Sequence, residues 1–357
     1  MSRIKRVTVW VLIVLSAGIA LLTIGRSILQ RRVAARIAII SRSGINSLEK
    51  IRLGGADQWI LIRGWNRTKP LLLFVHGGPG FPEMPFAHLN AGLEKDFVVV
   101  QWDQRGAGKS YPAPHDSLDV EQFVSDTREL TDLLLKRFNA QKLLLVGHSW
   151  GALVGALAAA RDPDKFFAYI GISQFADAPE SERMMYRWAL EQAEQTSHVQ
   201  AAPELKRIGV PPYESMRDFR TMKKWVAYFN AADYRPMSRL QFVRLAFESP
   251  IYSWRDLVNL AWGARTSFDE LWREVFYKTN LLQDAPRIAV PVYFFEGRHD
   301  RLVTVSAAMA ERYFNALDAP RGKHLIWFEH SGHWPHLEQP HDYQGELLRI
   351  GETIPHQ

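Results

Sequence analysis

Leu143–Ala160 reads LLLVGHSWGALVGALAAA, and this stretch decides the fold. Leu143-Leu144-Leu145-Val146 is a short continuous apolar run, the pattern of a strand covered on both faces in a parallel sheet. Ala152 to Ala160 is rich in small residues and reads as a close-packed helix that ends at Asp162-Pro163. Between them, Gly147-His148-Ser149-Trp150-Gly151 fits G-x-S-x-G. That motif is informative only where a strand turns sharply into a helix, since the tight turn then pushes the serine out above the sheet. The flanking glycines keep Cβ groups out of the turn, and the helix N-terminus favours negative charge developing beside Ser149.

A serine hydroxyl needs a base, and the base needs an orienting acid. In a sheet with such an elbow the chain order is Ser, acid, His, each after a strand. Val290–Phe295 reads as a strand and leads to Glu296-Gly297-Arg298-His299-Asp300, which nominates Asp300 as the acid. Leu325–Phe328 reads as a last strand and leads to Ser331-Gly332-His333, where the Ser-Gly turn lets His333 swing over Ser149 as the base. Glu296 is a rival acid, or a pocket group for substrate. His330, His333 and His336 are spaced by three, a pattern that also suggests a metal site. No second carboxylate–histidine cluster stands out, and a serine triad needs no ion. Neither a metal nor a cofactor is therefore assigned.

Strand and helix patterns alternate over the rest of the chain. Lys50–Leu53 and Trp59–Ile62 flank Gly54-Gly55 as a strand pair with a turn. Leu71–Val75 and Phe97–Val100 are buried-strand runs, and Leu118–Phe138 and Ala307–Leu317 have helical spacing. This alternation predicts an α/β class with a mostly parallel, doubly wound sheet. From about Phe175 to Pro286 it stops, giving way to Trp, Tyr, Met and Arg at helical spacing, which predicts a helical insertion. The expected division is 1–36, then 45–174 with 287–350 as one core, and 175–286 as an inserted cap.

The 357 residues carry a formal charge of +6, and its origin is local. Residues 1–36 hold seven basic residues and no acid, so 44 less these seven leaves 37 basic against 38 acidic residues elsewhere. Nothing in the remainder suggests a nucleic-acid partner. Val7–Ile24 is uncharged for 18 residues, close to the ~20 that cross a bilayer as a helix, with Trp10 near one end. A single-pass N-terminal membrane anchor in contact with lipid is the expectation, followed by a basic helical linker from Arg26 to about Arg42. A cleaved signal peptide ending at Ser16-Ala17-Gly18 is the rival. Basic residues flank both ends of the span, so its sidedness stays open. The absence of Cys rules out disulfides and thiolate chemistry.

Asp103–Ser110, DQRGAGKS, superficially resembles a nucleotide-binding loop. That loop needs a Gly where Asp103 stands, and it runs directly into a helix, whereas Tyr111-Pro112-Ala113-Pro114 follows here. No nucleotide partner is expected. Gly106 and Gly108 read as turn formers, Lys109 as a surface charge, and Asp103 and Arg105 as groups tying the loop to its neighbours. His76-Gly77-Gly78-Pro79-Gly80 lets backbone N–H groups approach a substrate oxygen. Trp150 and Gly78, with Gly77 as second choice, are the oxyanion-hole candidates.

HGGPG, DQRGAGKS, GHSWG, GRHD and SGHWPHLEQP, in this order, resemble the α/β-hydrolase superfamily over roughly residues 45–350, and most closely its proline iminopeptidase branch. The resemblance implies an α/β-hydrolase fold, a Ser149–Asp300–His333 triad under a helical cap, and a small-molecule or short-peptide substrate. His148 departs from the branch's GGSWG. The branch also holds a substrate ammonium on cap carboxylates within a Trp-x-x-Trp-Glu segment. Here Arg187-Trp188-Ala189-Leu190-Glu191 lacks the second Trp, leaving Glu191, Glu194 or Glu296 for that task. An N-terminal proline-releasing aminopeptidase and a carboxylesterase or lactonase both remain open, with a hydrolase-shaped binding protein as a third class.

Overall fold

The computed structural model describes residues 3–114, 118–234, 239–302 and 307–354. Eight strands form one sheet: β1 (Ile45–Leu53), β2 (Ala56–Gly64), β3 (Leu71–Val75), β4 (Val98–Asp103), β5 (Leu143–His148), β6 (Phe166–Ile172), β7 (Val292–Gly297) and β8 (Lys323–Phe328). Their order is β1-β2-β4-β3-β5-β6-β7-β8. β1 and β2 pair antiparallel across the Gly54-Gly55 turn, β2 pairs antiparallel with β4, and all later pairs are parallel. The sheet is mostly parallel, as the alternation of strands and helices predicts.

Strand periodicity sorts the core into two layers. Leu71, Leu73 and Val75 of β3 and Leu143 and Leu145 of β5 join one apolar cluster. Their alternates Leu72, Phe74, Leu144 and Val146 join another. Successive side chains point to opposite faces, so runs apolar at every position belong to strands covered on both sides.

The helices, in chain order, begin with α1 (Arg3–Arg36), α2 (Val120–Phe138) and α3 (Trp150–Arg161). Next come α4 (Ala178–Gln195), α5 (Ala201–Ile208), α6 (Met216–Tyr228), α7 (Arg239–Glu248), α8 (Trp254–Tyr277) and α9 (Leu281–Asp284). The last three are α10 (Ala307–Ala316), α11 (Pro335–Glu338) and α12 (Pro340–Glu352). α2, α3 and α10 contribute to the first cluster, and Tyr343, Leu347 and Ile350 of α12 to the second. α4 to α9 lie between β6 and β7 in sequence. Within them, Ser253 and Asp256 close a capping box at the start of α8.

Two elements differ from the sequence expectation. β6, FFAYIGI, sits fully inside the sheet between β5 and β7, although periodicity did not separate it from the segment after Asp162-Pro163. An apolar run of seven residues is ambiguous by pattern alone, and pairing on both edges settles it. The span and its linker are one continuous 34-residue helix, α1, whose apolar half is exposed and long enough to be a candidate membrane span. Its last turns dock on the segment between α7 and α8. Arg26 donates to Phe247 O (3.1 Å) and Tyr252 O (2.5 Å), and Gln30 to Ser249 O (2.6 Å), while Val33 is buried.

The DQRGAGKS loop is tied to its surroundings by charge. Arg105 holds Asp126 of α2 through Nε–Oδ2 (2.6 Å) and Nη2–Oδ1 (2.7 Å), with both side chains fully buried. Lys109, expected as a surface charge, instead reaches Asp256 of α8 (2.7 Å) and Ile251 O (3.0 Å). Tertiary packing of the insertion onto the loop supplies partners that a local reading cannot see. Removing one member of a buried pair strands the other in low dielectric. Arg105→Ala should therefore lower unfolding free energy by about 3–5 kcal/mol, read from denaturant titration of the purified chain.

Candidate active site

The elbow is built by close approach. A Cβ on Gly147 would lie 2.2 Å from Gly151 O, and one on Gly151 would lie 1.9 Å from Val75 O. Neither position accepts a side chain while α3 leaves the sheet at this angle. Ser149 takes φ 54°, ψ −111°, a conformation costly to any residue with a side chain. Its N–H is fixed by Ile172 O of β6 at 2.9 Å. Strain held by such packing is the mark of a functional turn.

Asp300 and His333 follow β7 and β8, and the fold brings them together. His333 Nδ1 lies 2.8 Å from Asp300 Oδ2, with both side chains buried. Asp300 Oδ1 accepts from Leu302 N–H at 2.8 Å. Since a carboxylate accepts, His333 carries its proton on Nδ1 and its Nε2 is left to accept. Ser149 and His333 line one cavity of about 710 Å3, together with Gly78, Trp334 and insertion residues from α6 and α8.

The insertion also braces both loops of this pair. His333 N–H donates to Ala232 O (2.5 Å) and Arg301 N–H to Ala231 O (2.9 Å). A Cβ on Gly332 would lie 2.1 Å from the Ala232 carbonyl oxygen, so glycine is required where the loop passes beneath the insertion. Asp233 follows, a carboxylate that no sequence motif marks. Burial raises its pKa, the His333 charge opposes that shift, and the Asp300 charge adds to it.

A second cluster lies behind the elbow. Glu83 Oε1 is 2.6 Å from His148 Nδ1, and Glu83 Oε2 is 2.7 Å from His336 Nε2, the latter poorly aligned for a hydrogen bond. Both spacings are shorter than the ~3.4 Å that two donors on a tetrahedral ion would keep. Burial resists ionisation of Glu83, but the charges of His148 and His336 and the hydrogen bond to His148 outweigh it and hold this carboxyl well below its usual range. Burial moves His336 down, toward its neutral form. His148 Nε2 faces His333 O at 3.0 Å and can only donate there. The cluster thus links the glycine loop, where Glu83 Oε1 also accepts from Gly77 N–H (3.1 Å), to the backbone of His333. Spacing alone missed it because Glu83, His148 and His336 are far apart in sequence. His330 lies elsewhere, packed on Tyr234.

The glycine loop ends β3. Gly77 N–H is engaged by Glu83, whereas Gly78 lines the cavity at φ +129°. Trp150 is the first residue of α3, and its indole donates to Gln104 Oε1 (3.0 Å). Gln104 also bonds His76, fixing the DQRG turn to the glycine loop. Glu296 and Glu191 are placed away from the cavity lining. Glu296 is fully buried at the end of β7, accepts from Gln174 N–H (2.8 Å), and is pushed well above the usual carboxyl range by burial. Glu191 is exposed on α4 and bonded to Gln195. Asp269 is the carboxylate among the described cavity-lining residues, and Arg220 Nη2 meets both its oxygens at 2.5 and 2.6 Å.

Strand order, elbow and the Asp–His pair after β7 and β8 define a class, and the chain belongs to the alpha/beta hydrolase fold family, which it matches over residues 70–340. Within that family, the Bacillus subtilis protein named "Probable aminopeptidase YbaC" is 32% identical over 315 residues, covering 87% of this chain and 98% of the relative. A proline iminopeptidase of Heyndrickxia coagulans is 25% identical, covering 79% and 90%. The solved structure titled as a membrane phospholipase A superposes with TM-score 0.62 at 19% identity, covering 98% and 100%, which takes in the N-terminal helix.

Burial pushes the His76 imidazole down to about 4 from 6.5, against the opposing pull of its hydrogen bond to Gly77 O. The native state thus binds fewer protons than the unfolded chain between these values. Its contribution is complete above pH 6.5 and is lost as pH falls toward 4, by up to about 3 kcal/mol. Unfolding free energy measured across that window should fall with acid, and His76→Asn should flatten the slope.

Proposed function

We propose that the chain is a membrane-anchored serine hydrolase working through an acyl-enzyme, with Ser149 as nucleophile, His333 as base and Asp300 as its orienting acid. The observation carrying this reading is the 2.8 Å His333–Asp300 contact beside a strained Ser149 on one shared cavity. His333 Nε2 takes the Oγ proton as Ser149 attacks the substrate carbonyl. The N–H groups of Trp150 and Gly78 hold the oxyanion, and Gly77, already bonded to Glu83, drops to a structural role. The tetrahedral adduct collapses, and the leaving amine or alcohol departs with the proton from His333. Water, activated by the same histidine, then releases the acid. Loss of Ser149 Oγ in Ser149→Ala should abolish labelling by an active-site-directed fluorophosphonate, and labelling that persists would remove Ser149 from this role.

For the substrate, the names of the relatives support an aminopeptidase that releases N-terminal proline. Asp269 is then the carboxylate positioned to meet the substrate ammonium. One observation favours an ester as a second reading: Arg220, Lys223 and Arg265 also line the cavity, and against Asp269 and Glu182, which pair with them, they leave a positive excess that disfavours an ammonium. Prolyl amides and p-nitrophenyl esters assayed side by side separate the two. Asp269→Asn should raise KM for the amide and leave the ester unchanged if the aminopeptidase reading holds. Glu296→Gln should leave kcat/KM within a few-fold for either substrate, because a buried, protonated carboxyl and an amide offer the same acceptor to Gln174 N–H.

The exposed apolar half of α1 supports the anchor. Retention of the chain in the membrane pellet through a carbonate wash is the expected outcome, and release into the supernatant would remove the anchor.

A further inference from the structure

We propose that α7 and the first half of α8 form a second membrane-contact face that lays the cavity mouth against a phospholipid surface. Leu240, Val243, Trp254, Val258 and Trp262 are large apolar residues between 44% and 78% exposed. On α8 they are not scattered. At 100° per residue, Trp254, Val258, Ala261, Trp262 and Arg265 fall on one face, all but Arg265 apolar. Stripes of this kind, rich in Trp and Leu and edged by Arg, are how helices lie in a bilayer interface. A face left to water rarely keeps such a patch.

The occupant is fixed by what lies beside the patch. α1 docks on the 247–254 segment that joins the two helices, and Arg26 stacks 4.7 Å from the Trp254 ring and 5.5 Å from that of Phe247. The uncharged run Val7–Ile24 rises about 27 Å, nearly the ~30 Å of a hydrocarbon core. Arg26, Phe247 and Trp254 therefore sit where such a span meets the headgroups, the level favoured by aromatic and basic side chains. From that level the α8 stripe runs onward to Arg265, which lines the cavity. Arg255 of α8 and Arg31 and Arg32 of α1 are exposed within two helical turns of the Arg26–Trp254 contact, and their charge fits anionic phospholipid. The cavity mouth then faces the lipid boundary, so a substrate enters from the layer where amphiphilic esters and amides concentrate. This inference builds on the anchor reading and holds for either substrate class.

The chain has no Cys, so single reporters can be placed in the full-length protein. Val258→Cys and Trp262→Cys, each carrying an environment-sensitive fluorophore, are reconstituted in phosphatidylcholine–phosphatidylglycerol vesicles bearing nitroxide quenchers both near the headgroups and deep in the acyl chains. Leu15→Cys reports the anchor. Lys136→Cys, exposed at the end of α2 just before β5 begins and so at the end of the sheet away from Ser149, reports bulk water. The expected result is blue-shifted emission at 258 and 262, with quenching several-fold stronger than at 136. Quenching at 258 and 262 equal to that at 136 overturns the proposal. If the Leu15 probe is quenched in that case, the anchor still stands. Blue-shifted probes that ignore the lipid quenchers but respond to dilution among vesicles would assign the face to a second copy of the chain, which also overturns it. Quenching at 258 and 262 without quenching at 15 would support the face and remove the anchor.

Discussion

The contact of Gly151 with the Val75 carbonyl is the constraint on which the site depends. It brings the start of α3 against the end of β3, and the chain can pass there only by turning Ser149 into a positive φ. The same approach sets the glycine loop after β3 beside the helix N-terminus, so the candidate nucleophile and both candidate oxyanion donors follow from one packing decision. The parallel order β3-β5-β6-β7-β8 then delivers the acid and the histidine to the same end of the sheet. Ligands in open α/β sheets gather outside the carboxyl ends of the strands.

Around this turn the molecule uses buried polar links rather than apolar contact to fix loops. Glu83 ties the glycine loop to His148 and His336, and His148 ties that cluster to the backbone of His333. Gln104 ties the DQRG turn to His76 and Trp150. The Tyr252 hydroxyl donates to Asp103 Oδ2, while the Tyr252 carbonyl accepts from Arg26 of α1. The apolar N-terminal helix is thereby joined, through one tyrosine, to a loop at the edge of the site. Burial drives Asp103 up to about 7, against the pull of its hydrogen bonds to Tyr252 and Lys109 N–H. Such networks specify a loop's position because each member, left unpaired, costs more than an apolar gap would.

The helical insertion does two jobs with one segment. Its chain at Ala231 and Ala232 accepts hydrogen bonds from the loops carrying Asp300 and His333, and its α6 and α8 side chains close the cavity. The cavity walls and the placement of the Asp300–His333 pair are therefore coupled through the α4 to α9 segment. A change that shifts α6 moves the acceptors that hold His333 as well as the cationic wall.

The sequence by itself determined the class of sheet and the strand-to-helix elbow, and it singled out Asp300 and His333, which the structure brings into contact after β7 and β8. Each rests on local chemistry: runs apolar on both faces, a glycine-bounded turn between strand and helix, and short loops after strands. It also placed the exposed apolar helix, whose length and lack of charge need no neighbours to be read. Only the tertiary structure decided that FFAYIGI is a central strand, that Lys109 is paired rather than free, and that Glu296 and Glu191 lie off the cavity while Asp269 lies on it. It alone gathered Glu83, His148 and His336. The physical reason is the same throughout. Periodicity and turn chemistry act over a few residues, whereas burial, charge pairing and cavity walls are made by segments dozens to hundreds of residues apart, and their partners exist only once the sheet has closed on its helices.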